Sequence, residues 1–134
     1  MTGRWLILGV TVLAGLALTI GVGFSGSNDA SSREALARST AREFFQTINN
    51  RHFERTCELL SSRFYRDNHV PDRARCVLAL RIEFTWAQSF QFKILGVRLA
   101  NRRAIVAVNA NGAPGRVVLL EEKGRFRVLS VGSS

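Results

Sequence analysis

The spacing of apolar positions changes along the chain, and each change marks a different kind of element. Residues Trp5 to Phe24 form an unbroken uncharged run of 20 residues behind Arg4. At about 1.5 Å per residue a helix of that length spans about 30 Å, the thickness of a bilayer core. From Ala37 the apolar residues fall at three- and four-residue steps, through Ala41, Phe44, Phe45 and Ile48, which predicts a helix with one buried stripe. Ser31, with Glu34 three residues on, has the spacing of a capping box, so this helix is expected to begin there, behind a polar linker over residues 27–32. Asn49 and Asn50 end it, and Asn50 is placed to cap a second helix from Arg51 to about Ser62, with Phe53, Cys57 and Leu60 inward. Arg66, Asp67, Asn68 and His69 read as a loop, with Phe64 and Tyr65 packing back on the domain. A third helix is expected to start at Pro71 or Asp72 and to run through Cys76, Val77 and Leu80 toward Phe84.

Beyond Gln88 the period becomes two. Phe90, Phe92 and Ile94 alternate with Gln91 and Lys93; then the apolar set slips by one to Leu95, Val97 and Leu99, with Gly96 at the slip. Such a slip predicts a β-bulge or sharp bend. Ala104, Val106, Val108 and Ala110 mark a second strand, reached through a turn at Asn101-Arg102. Asn111-Gly112 is a strong hairpin signal, and Pro114-Gly115 is expected to lengthen that connection. Arg116 to Glu122 is apolar on both faces in its middle, as a central strand is. Lys123-Gly124 then turns the chain into a last strand, Arg125 to Val131, with Phe126 and Val128 on one face. The expected class is α+β: a transmembrane or signal helix within residues 1–26, a domain over residues 33–131 with three helices packed on a bent four-strand antiparallel meander, and a tail at residues 132–134.

Length leaves room for one domain after the first apolar run. Charge adds a direction: 19 Lys and Arg stand against 10 Asp and Glu, for a net charge of +9, which favours anionic partners. The N-terminal run predicts a single-pass cell-membrane protein, anchored by residues 5–24, with its domain outside the cytoplasm. If the run is a cleaved signal peptide, the domain is secreted. Anionic envelope components or another envelope protein are the further expected partners. Two cysteines, Cys57 and Cys76, in a short exported chain suit a disulfide joining the second and third helices; two buried free thiols are the alternative. Nucleic acid is not expected, because Phe90 and Phe92 fall on the face opposite Lys93, so stacking rings and cations do not converge.

The domain holds no phosphate-loop or nucleophile-elbow motif, and His52 and His69 stand apart from any cysteine or carboxylate cluster. No cofactor and no metal are therefore expected. Glu83, between Ile82 and Phe84, is the carboxylate placed to face the seam between helices and sheet.

Four stretches carry a likeness to a known fold: Ala41-Arg42-Glu43-Phe44-Phe45 with Ile48-Asn49, Cys57-Glu58-Leu59-Leu60-Ser61, Phe92-Lys93-Ile94-Leu95-Gly96-Val97, and Gly124-Arg125-Phe126-Arg127-Val128. In that order, three helices and then a bent meander, the chain resembles the nuclear transport factor 2-like superfamily, the cone-shaped α+β fold of ketosteroid isomerase and polyketide cyclase types, and in particular its small exported bacterial members. The resemblance implies a pocket between the concave sheet face and the helices, lined here by Tyr65, Glu83, Trp86, Phe90 and Phe92, with Phe84 beside them. Enzymes of that superfamily resemble one another in placing a catalytic Asp and a Tyr inside the cone. This chain has no Asp on the meander, and its only Tyr is Tyr65. The expected function is thus a membrane-anchored extracytoplasmic interaction or assembly domain without catalytic activity. The alternative is a small apolar-ligand binding protein, or an isomerase- or cyclase-like enzyme, using the pocket with Glu83 and Tyr65 as its polar groups.

Overall fold

Two-residue turns join four strands into one antiparallel sheet, in the order β1 (Phe92–Ala100), β2 (Arg103–Ala110), β3 (Ala113–Glu122) and β4 (Arg125–Ser133). Four helices precede them: α1 (Phe24–Asn49), α2 (Phe53–Glu58), α3 (Ser62–Asp67) and α4 (Arg73–Glu83). The class is α+β. The computed structural model describes residues 24–85 and 88–133, so Trp86 and all but the last residue of the apolar run Trp5 to Phe24 lie outside it. Among the described residues no helix is long and apolar enough to cross a membrane. Residues 34–134 form one compact unit.

The helices differ from expectation in four places. α1 is already helical at Phe24, so residues 27–32 are helix rather than linker and Ser31 is not a cap. A capping box competes with the i to i−4 ladder only where the preceding backbone leaves helical geometry, and no proline precedes Ser31 to force that. Asn50 is not the cap of α2 either. The chain reverses through Arg51, at φ 61°, with Arg51 N–H donating to Ile48 C=O and His52 N–H to Thr47 C=O. This is a Schellman closure with a non-glycine residue in the left-handed position, and it leaves His52 to begin α2. The helix expected to reach Ser62 breaks at Leu59. Leu59 and Ser61 turn their backbone to β4, where Val128 N–H donates to Leu59 C=O and Ser61 N–H to Val128 C=O. The β4 edge is thereby covered by chain, and helix resumes as α3 with the Ser61 hydroxyl accepting from Phe64 N–H. Residues 66 and 67, expected in a loop, belong to α3. α4 begins as anticipated, its N-terminus capped by Asp72 on Arg75 N–H.

The strands follow the sequence pattern closely. The register of β1 on β2 shifts between Ile94 and Gly96, which puts a bulge at Leu95. Asn111-Gly112 and Lys123-Gly124 each have both residues at positive φ, the type I′ geometry that matches strand twist. Pro114-Gly115 does not lengthen the first of these turns: β3 starts at Ala113, paired with Ala110. Proline is tolerated at the next position because β4 pairs with β3 only from Gly115 onward, so no ladder bond is asked of Pro114 on that side. A second bulge, at Leu129, lies between Val118 and Leu119 in the register of β4, and β4 runs two residues past the expected end at Val131.

One face of the sheet meets the helices. Ala104, Val106, Val108, Val117, Leu119, Phe126 and Val128 are buried against Ala37, Ala41, Phe44, Phe45 and Ile48 of α1. A second, smaller cluster of Phe53, Cys57, Cys76 and Val77 ties α2 to α4, and Cys57 and Cys76 form a disulfide inside it.

Candidate functional site

Between α1, α2, α4 and the end of the sheet lies a cavity of about 380 Å³. Its position follows from two helical stripes. On α1, Phe44, Phe45 and Ile48 lie three and four residues apart and present rings and a branched chain to one side. On α4, Leu80, Glu83 and Phe84 repeat the spacing from the opposite side. Thr56, Leu60 and Phe64 close the wall from the α2–α3 segment, and Phe90 and Val131 from the sheet end. The walls are apolar with two exceptions, Thr56 and Glu83.

Thr56 brings no free donor to the cavity. It is fully buried, and its hydroxyl lies 2.8 Å from the Thr47 hydroxyl, which donates in turn to Phe44 C=O. Glu83 lines the cavity and is exposed, so its carboxylate stays in contact with water.

The rings around the cavity are held by polar clamps on the backbone. Asn49, the last residue of α1, donates from Nδ2 to Phe90 C=O at 2.8 Å and accepts from Phe90 N–H at 3.0 Å. The carboxamide thus satisfies both backbone groups of a residue that has left regular structure. Arg51 donates to Phe84 C=O at 2.6 Å and fixes the C-terminus of α4, while Phe84 stacks on Phe53 with ring centroids 6.2 Å apart. Phe90 meets Phe45 edge to face at 5.6 Å.

Of the residues expected at a pocket, Glu83, Phe84 and Phe90 line it. Phe92 instead packs into the core, tilted on Phe45 at 5.1 Å. Its strand position faces Ala110, one step farther into the sheet than Phe90, and the core fills that position. Tyr65 does not reach the cavity. Its hydroxyl donates to Cys57 C=O at 2.7 Å, tethering α3 to α2, and burial raises its pKa above the ordinary phenol range. Trp86 is outside the described residues. Sequence reasoning missed the other walls: Phe44, Phe45, Ile48, Leu60, Phe64, Leu80 and Val131 were read as core, strand or packing residues, and Thr56 was not singled out. The signal for Thr56 was present, since it shares a helical face with Phe53 and Leu60.

Comparisons of the chain with protein-family models, with curated proteins and with solved structures each found no match.

Proposed function

We propose that this is a binding domain of the extracytoplasmic face, anchored by residues 5–24, and that its cavity takes a small apolar molecule. The observation that carries the reading is the cavity itself: apolar walls, phenylalanine rings fixed by backbone clamps, and one water-accessible carboxylate in the lining. Ligand sites are commonly concave, largely apolar and supplied with a few placed polar groups. In this reading the chain is a member of the nuclear transport factor 2-like superfamily that holds a ligand rather than transforming one. Glu83 favours a ligand whose polar end carries a donor or a positive charge.

Size sets the expected affinity. At about 30 Å³ per water-sized atom, the space holds about a dozen non-hydrogen atoms. At about 0.3 kcal/mol per atom such a ligand binds with about 4 kcal/mol, a Kd near 1 mM, and well-fitted small ligands do several times better per atom.

A thermal-shift screen of the full chain in lipid nanodiscs tests the proposal. Nanodiscs are preferred to detergent, since a detergent tail is itself an apolar chain that competes for the cavity. Alkylamines, alkyl alcohols and small aromatic compounds are expected to raise Tm in a saturable way, with amines ahead of the matching alcohols. A flat screen up to the solubility limit would contradict the reading.

A further inference from the structure

Charge is unevenly divided between the two halves of the domain. Residues 27–87 carry ten arginines against eight carboxylates, whereas residues 88–134 carry eight Lys and Arg against two Glu. The helical half pairs its charges. Arg55 bridges Glu43 and Glu58, Arg73 also binds Glu58, and Arg63 meets Asp67. The sheet half does not: among the described residues Lys93, Arg98, Arg103 and Arg116 make no ion pair.

Strand register places these cations on one face, away from the helices. Across the sheet Arg98 lies beside Ile105 and Ile105 beside Val118, while Arg103 lies beside Leu120 and Leu120 beside Arg127. Arg116 is two residues before Val118 on the same strand and shares its face. Ile105, Val118 and Leu120 are half-buried by their neighbours yet take no part in the core cluster. The outer face is therefore a small apolar centre with an arginine next to each of its members. Four strands at about 4.8 Å spacing make this face about 14 Å wide from β1 to β4.

We propose that this outer face is a docking surface for an anionic lipid bilayer. Like charges on neighbouring strands repel, and the sheet supplies almost no counter-charge, so the complement comes from outside. Apolar residues ringed by cations suit the bilayer interface, where branched chains enter the acyl boundary and guanidinium groups meet phosphates. A single-stranded nucleic acid is the poorer fit, because the face carries no aromatic residue for a base to stack on. The inference is independent of the cavity, so a flat ligand screen leaves it standing.

The test maps arginine reactivity in the full chain reconstituted into vesicles of phosphatidylcholine, with or without phosphatidylglycerol. A dicarbonyl reagent modifies exposed guanidinium groups, and peptide mass spectrometry assigns the sites. Arg98, Arg103 and Arg116 are expected to lose reactivity several-fold in the anionic vesicles only, and to regain it as salt screens the surface. Arg42, Arg66 and Arg75, exposed on the helices, serve as internal controls and are expected to be unchanged. A triple variant, Arg98→Gln, Arg103→Gln and Arg116→Gln, is expected to remove the protection of Arg125 as well, since each cation near an anionic surface contributes about five-fold to binding. Equal reactivity in both vesicle types would overturn the proposal. So would protection of the helical arginines instead, or protection by a soluble oligonucleotide or acidic protein where vesicles give none.

Discussion

Asn49 shows how much of the site rests on single polar side chains. Its carboxamide makes both hydrogen bonds that the backbone of Phe90 would otherwise lack. Removing it leaves a donor and an acceptor unmet in a partly buried place, which costs about 2–3 kcal/mol. Asn49→Ala is therefore expected to lower the unfolding free energy by that amount, read as a drop in the urea midpoint, and to weaken ligand binding, while Asn50→Ala, on an exposed turn residue, is expected to change neither. A drop in both variants alike would show that the end of α1, rather than the clamp, sets stability. From sequence, Asn49 is visible only as a helix terminator, because its partner lies 41 residues away and nothing local announces it. Thr56 and Tyr65 follow the same rule. The burial of Thr56 is legible from helical spacing and Tyr65 only as an aromatic packing back, but the Thr47 hydroxyl and the Cys57 carbonyl that satisfy them are tertiary facts.

At the scale of elements, the strands were far more legible than the helices. The bulge at Leu95 is written as a phase slip in the apolar pattern, and two of the three turns are written as residues that accept positive φ. The bulge at Leu129 was missed, although the step from Val128 to Val131 on one face carries the same kind of slip. Helix ends were decided elsewhere. The break at Leu59 exists because β4 captures the backbone of residues 59 and 61, an effect that propensity does not register.

The α2–α4 pair depends on covalent help, since only Phe53, Cys57, Cys76 and Val77 are buried in its cluster. The disulfide closes a loop with a sequence separation of 19, for which the chain-entropy account gives about 3 kcal/mol. The double variant Cys57→Ala, Cys76→Ala is expected to lose about 15 °C in Tm. Because Leu80, Glu83 and Phe84 line the cavity from α4, ligand binding is expected to fall at temperatures where the sheet remains folded. Near-UV and far-UV circular dichroism recorded on the same melt separate the two events. An unchanged Tm would show that the small cluster holds α4 without the bridge.

Taken whole, the molecule presents two unlike surfaces on one sheet. The inner face is apolar and meets the helices, with an incompletely filled region between α1 and α4. The outer face is cationic around an apolar centre. Its basic character could be read from composition, and its placement on one face follows from strand alternation. The cavity could not be read in that way: it is a difference in volume between side chains and backbone, and no local pattern encodes it. The most direct measurement is a calorimetric titration of the full chain in nanodiscs with decylammonium below its micellar concentration, repeated with Leu80→Trp, which fills the cavity from α4. One saturable site per chain is predicted, with a negative heat-capacity change from apolar burial, abolished in Leu80→Trp. An absence of saturable heat, or an identical titration in the filled variant, would contradict the assignment of the cavity as the binding site.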